Sequence, residues 1–149
     1  MKTVAYTYRI SVNAKPDVVF AYISDLTRHG EWNDHLHVTA KTPGEIKVGS
    51  EYHSVGKTLY EDRHNDLWVT AHQPPTLFSF VARDPDFKDI AHEFRISPQN
   101  EGTLIERTIT AQMSAFMELL WRMLFFPLIN RRENYRSMTA LKAQLESTK

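Results

Sequence analysis

The run Ile23–His37, ISDLTRHGEWNDHLH, places three histidines and three carboxylates around one tryptophan. Imidazole titrates near neutrality and binds transition metals, and carboxylates act as acid/base groups or hard ligands, so the run has the ingredients of a metal or proton-transfer site. His35 and His37 are two apart on a strand-like segment and His53 lies on the next one, a spacing at which three imidazoles could meet. Parity argues against that use: Leu36 and Val38 take the inward positions, the histidines face outward, and no metal is expected. The run then reads as a joint. Asp25 caps a helix end, Gly30 permits a tight turn, Trp32 is the apolar pin, and the other polar residues face solvent.

Two other residues carry more specific chemistry. Arg107 falls between Ile105 and Ile109 on a predicted inward face. A guanidinium stays charged, so its burial demands a carboxylate, another acceptor or a ligand. The competing reading is a packed stem whose head snorkels to a cavity mouth or pairs with a helix carboxylate. His92, in phase with Phe94 and Ile96, could serve as general acid/base or hydrogen-bond a ligand, against the plainer reading of a satisfied core histidine. The tyrosines Tyr6, Tyr8, Tyr52 and Tyr135 could orient an enol or phenol, or simply place rings in the core with hydroxyls at the rim.

These side chains must be held by a sheet and a helix. Alternation from Val4 to Val12 predicts a first strand, and Pro16 opens a short helix carrying Val19, Phe20 and Ile23; Gly30 ends a second. Six strands follow, over 35–41, 50–55, 66–73, 77–83, 91–97 and 103–113, joined by turn-forming segments such as TPGE, QPPT and SPQNEG. The carboxylate-rich runs Asp62–Asp66 and Arg83–Asp89 fall near hairpin turns and receive no catalytic role. From Ser114 to Glu146 the pattern is that of one long helix, bent at Pro127. The expected fold is α+β: a seven-stranded curved antiparallel sheet, two short helices after the first strand, and a long C-terminal helix over an internal cavity.

Strand parity assigns Val69, Phe78, Phe80 and Phe94 to the concave face beside Tyr6, Tyr8, Tyr52, His92 and Arg107, with Trp32 at one end. Ala71 follows Val69 on that face. Three- and four-residue steps along the helix add Met117, Leu120, Leu124, Leu128 and Tyr135 as cavity wall.

Composition narrows the function. The 149 residues, 42% hydrophobic with only five glycines, predict one domain, 1–149. Eighteen basic residues balance eighteen acidic ones, so no net field draws nucleic acid or an anionic membrane. There is no cysteine for a disulfide, thiolate or Cys-ligated zinc. No GxSxG, HExxH or phosphate-cradling glycine loop is present, and no cofactor is expected. The N-terminus lacks a signal-peptide pattern, and the most apolar window, 115–129, is too short for a membrane span and holds Glu118 and Arg122. A cytoplasmic location follows by default.

The order of the segments resembles the START/Bet v 1-like (SRPBCC) superfamily, in its bacterial polyketide cyclase/dehydrase-like and lipid-transport branch. The resemblance rests on AKPDVVFAYISDLTRHGEWN after the first strand, VGSEY, VTAHQPPTLFSF, and HEFRISPQNEGTLIERTI before the long helix. It implies a helix-grip fold around a site for an apolar or amphipathic molecule, and leaves chemistry open because members include carriers, sensors, cyclases and hydrolases. Three functions remain: a carrier or sensor of a hydrophobic small molecule; a cyclase/dehydratase-type enzyme with His92 or a tyrosine as acid/base and Arg107 holding a carboxylate or enolate; and an interaction module whose apolar helix, with Trp121, Phe125 or Phe126 exposed, recruits a protein or lipid. Surplus apolar surface on that helix also suggests a homodimer contact or a ligand portal.

Overall fold

The computed structural model describes residues 1–84 and 88–147, with side chains throughout except at positions 125, 126 and 128–130. Strand β1 (Lys2–Val12) leads into α1 (Pro16–Ser24) and a 3-10 turn (Leu26–Glu31). Pro16 stands in the first turn of α1, where a missing N–H costs nothing, and Val19, Phe20 and Ile23 form its buried face. The side chain of Asp25 accepts the Thr27 N–H at 3.1 Å and caps the 3-10 turn. Gly30 is required there by close approach, since a Cβ would sit 2.5 Å from the carbonyl oxygen of Leu36.

Strands β2 (Leu36–Ala40), β3 (Glu51–Lys57), β4 (Asp62–Gln73), β5 (Leu77–Asp84), β6 (Lys88–Gln99) and β7 (Gly102–Met113) complete a seven-stranded antiparallel sheet in the order β1-β7-β6-β5-β4-β3-β2. Only β1 is out of sequence order, pairing with β7. The register stacks three inward rows across the centre: Ile10, Ile105 and Ile96; Tyr8, Arg107, Phe94 and Phe78; Tyr6, Ile109, His92 and Phe80. Two sequence expectations are corrected here. The run Asp62–Asp66 lies directly after the hairpin turn but belongs to β4, paired with β3, so that strand begins at 62 and not at 66. A bulge between Val69 and Ala71 shifts the register, so Ala71 pairs with Ser79 on the outer face and His72, opposite Phe78, takes the inward position.

The C-terminal region is helical throughout, as the pattern predicts, but in three pieces: α2 (Ala115–Leu120), a π-helical segment (Trp121–Asn130) containing Pro127, and α3 (Arg131–Ser147). Ser114 caps α2, its hydroxyl accepting the Met117 N–H at 3.2 Å. Proline has no N–H and its ring collides with the preceding turn, and a widened helix accommodates both. Each wide turn uses more residues than an α-turn, so helical phase is not carried across it. In α3 the buried stripe is Met138, Leu141 and Leu145, which join α1 in covering the Val12 end of the sheet. Ahead of it, Phe116, Leu119 and Met123 are exposed, whereas Trp121 is half-buried and hydrogen-bonds Tyr6. The expectations for Phe125 and Phe126 lie outside the described side chains.

The central apolar side chains are close-packed. Phe78, Phe94, Ile105, Val19, Ile23, Leu26 and Leu141 are entirely buried and form one cluster with Trp32. Burying a side chain of this size contributes about 1.5–3 kcal/mol. Among the described residues, no helix is long and apolar enough to cross a membrane.

Candidate ligand site at Arg107 and Trp32

A pocket of about 340 Å3 opens between α3 and the segment that joins the 3-10 turn to β2. Its floor is Arg107 and Trp32; its walls include Glu31, Asn33, Asp34 and His35 on one side and Glu133, Asn134, Arg136, Ser137 and Ala140 on the other. The Gln144 side-chain amide donates to the carbonyl of Glu31 at 3.3 Å, tying the two walls together. The wall facing α3 is therefore set by sequence-local turn geometry, and the α3 wall by the phase of Met138 and Leu141, which brings Asn134 and Ser137 onto the sheet-facing side.

Arg107 is only 7% exposed and sits in the middle of the Tyr8–Arg107–Phe94 row. Its guanidinium lies over two ring faces, 5.4 Å from Trp32 and 5.5 Å from Phe94. Nη2 donates to His92 Nδ1 at 3.4 Å, while Nε and Nη1 are buried with no hydrogen-bond partner among the described residues. The indole Nε1 of Trp32 is likewise buried and unpaired. Burial lowers the Arg107 pKa to about 10, with neighbouring Tyr8 opposing the shift. The cation therefore persists at neutral pH with no carboxylate of the described residues paired to it. Buried donors without acceptors cost about 1–3 kcal/mol each, and more on a charged group.

Two histidines complete the surroundings. Because a guanidinium only donates, His92 accepts at Nδ1 and carries its proton on Nε2. His92 stacks on Phe80 at 4.7 Å, and burial together with the Arg107 charge holds its pKa well below the ordinary range. It is thus a neutral ring with one lone pair already engaged. His29 is 3% exposed, its Nε2–H donating to the carbonyl of Ile23 at 2.7 Å, with its ring against Trp32 and Phe80. Burial lowers its pKa to about 4. The expectation that the polar residues of the 23–37 run face solvent is corrected for Ser24 and His29, both buried, whereas Trp32, 3% exposed, is the buried pin.

Of the residues assigned to a cavity from sequence, only Trp32 and Arg107 line this pocket. Tyr8, Tyr52, Val69, Phe78, Phe80 and Phe94 are buried on the inward face as close-packed core, and Tyr6 and His92 are half-buried beside them. Leu120 is half-buried, whereas Met117, Leu124 and Tyr135 are 40%, 54% and 49% exposed and do not line this pocket, Tyr135 meeting Tyr8 edge-on. Leu128 lies outside the described side chains. The α3 wall was missed because phase was carried through Pro127; Met138, Leu141 and Leu145, read backwards by helical steps, are the signal that finds Asn134 and Ser137. On the outer face, His53 Nε2 contacts His64 Nδ1 at 3.1 Å and its Nδ1 lies 3.4 Å from Asp66, with His37 on the neighbouring strand opposite Val55; among the described residues no group of three ligands could hold a metal.

A family model described as polyketide cyclase / dehydrase and lipid transport matches residues 3–146. The chain belongs to this family. Its helix-grip architecture is shared with solved structures of low identity. The solution structure of KanY protein has a TM-score of 0.72 at 19% identity, over 97% of this chain and 99% of that one. The di-domain ARO/CYC StfQ of the steffimycin biosynthetic pathway has a TM-score of 0.75 at 11% identity, covering 98% of this chain and 51% of StfQ. Ara h 8.0201 superposes with a TM-score of 0.69 at 6% identity over 97% and 98% of the two chains. A search of curated proteins finds no match.

Proposed function

We propose that the chain binds a hydrophobic or amphipathic small molecule, lipid or polyketide-like, in the pocket over Arg107, as a carrier or sensor. The observation that supports this reading is the floor of the pocket: a buried guanidinium and a buried indole present three nitrogen donors that no described residue satisfies. A fold that closes its core elsewhere leaves such donors open where an outside acceptor arrives. Family membership is consistent with this use. Native mass spectrometry of the purified protein, repeated after organic extraction, is expected to show a small-molecule adduct that extraction removes. Protein that is empty from the start, and that takes up no fluorescent apolar probe, contradicts the reading.

A cyclase/dehydratase-type reaction is the second reading, supported by the contact between His92 and Arg107. In it the guanidinium holds an enolate while the neutral His92 ring relays a proton. It requires that His92→Gln abolish turnover of a substrate whose binding is unchanged; loss of binding and turnover together makes His92 a structural neighbour of the site.

A further inference from the structure

We infer that the group received by Arg107 and Trp32 is a single oxyanion, the carboxylate or enolate of a compact hydroxylated acid, an assignment that rests on the ligand-binding reading above. Charge is the first reason. The guanidinium touches two ring faces and one imidazole nitrogen, contacts that hold its plane but supply no negative charge. A neutral carbonyl could accept from Nε or Nη1 and still leave the buried cation uncompensated, whereas an anion does both.

Donor chemistry is the second reason. Arg107 Nε, Arg107 Nη1 and Trp32 Nε1 are donors only, so their complement is all acceptor. The pocket rim is mixed. Glu31, Asp34 and Glu133 present carboxylates, Asn33, Asn134 and Ser137 both donate and accept, and His35 and Arg136 stand among them, a lining suited to hydroxyl groups on the ligand body. Glu31 is already engaged by the Tyr22 hydroxyl at 2.7 Å and by Arg28 at 3.2 Å, and its pKa is held down by both. Three carboxylates against the one guanidinium of Arg136 leave the mouth net negative, which disfavours a second negative charge on the ligand and favours a monoanion over a phosphate. Size is the third reason: about 340 Å3 lies at the small end of ligand pockets, which run from roughly 300 to 1,000 Å3, and fits a one- or two-ring molecule better than a long acyl chain.

Isothermal titration of the full chain at neutral pH with salicylate, methyl salicylate and inorganic phosphate tests this. Salicylate is expected to bind at least about tenfold more tightly than its methyl ester, the ratio set by a charge-assisted hydrogen bond, with phosphate weaker than salicylate. Arg107→Met should cost salicylate most of its advantage over the ester, whose own affinity falls less because its carbonyl loses only a neutral hydrogen bond. Trp32→Phe, which keeps most of the ring and removes the N–H, should weaken salicylate several-fold, and in the wild type the Trp32 indole N–H resonance should move with salicylate and not with the ester. Equal binding of acid and ester, unchanged salicylate affinity in folded Arg107→Met, or no salicylate binding at all overturns the oxyanion assignment. If an apolar probe or a co-purified molecule still occupies the protein in those cases, the binding function stands without it; if the protein also stays empty, both fall.

Discussion

Two buried charges lie on the same face of the sheet and are treated in opposite ways. Asp84, at the end of β5, is 6% exposed and meets Arg63 Nη1 at 3.2 Å, an ion pair whose guanidinium keeps about a third of its side chain in solvent. Arg107 is as deeply buried, yet its guanidinium meets two aromatic faces and one imidazole nitrogen, with no carboxylate of the described residues paired to it. The fold can therefore compensate a buried charge from within when the charge is structural. Where it does not, at the floor of a pocket, the missing partner is the most informative feature of the molecule.

The contrast can be broken in four ways. The largest effect should follow Trp32→Ala, which removes one wall of the Arg107 cage and leaves a cavity beside His29 and Phe94; a loss of about 3–5 kcal/mol in chemical denaturation is expected. A loss well under 1 kcal/mol would mean that the ring is not part of the core.

Acid should come next. With the His29 pKa lowered from 6.5 to about 4 in the fold, both states are neutral above the upper value and the protein is at full strength there. As pH falls between those values the unfolded chain takes up a proton that the folded chain refuses, so stability declines by on the order of 3 kcal/mol across the window. His92 shifts in the same direction and adds to the decline. Denaturation midpoints at a series of pH values check this, and His29→Gln should flatten the slope.

Arg63→Met should cost about 2 kcal/mol, less than a fully buried pair because Arg63 is partly solvated. Arg107→Met should act with the opposite sign. Replacing an uncompensated buried cation by an apolar chain of similar length is expected to leave the empty protein unchanged or more stable by about 1 kcal/mol. Thermal scans of both variants decide the matter: if Arg107→Met destabilises as much as Arg63→Met, Arg107 has an internal role equal to that of the ion pair.

Much of the architecture is readable in the alternation of the strands. Period-two patterning finds all seven strands and assigns Arg107, Phe94, Phe78 and Tyr8 to the inner face, because one side of this sheet is apolar and a register slip would expose it. The readable part ends where the period changes. Beyond Val69 a bulge inverts β4, so His72 turns inward without any signal in the local sequence. Beyond Pro127 the wide helical turns reset the phase, which moved the expected wall from Tyr135 to Asn134 and Ser137. His29 sits in a turn where parity says nothing, and a carbonyl supplied by Ile23 allows an imidazole to be buried there. The individual members of the site were visible as residue types. That two of them would lack partners was not, since satisfaction of a donor depends on atoms from β1, β6, β7 and the 3-10 turn at once.

The most direct test of the central claim is a crystal structure of the protein soaked with salicylate, read at Arg107. A carboxylate oxygen within hydrogen-bond distance of Arg107 Nε or Nη1 or Trp32 Nε1 is the predicted result. An Arg107 found paired with a carboxylate of the chain itself, with salicylate absent from the pocket, would contradict it.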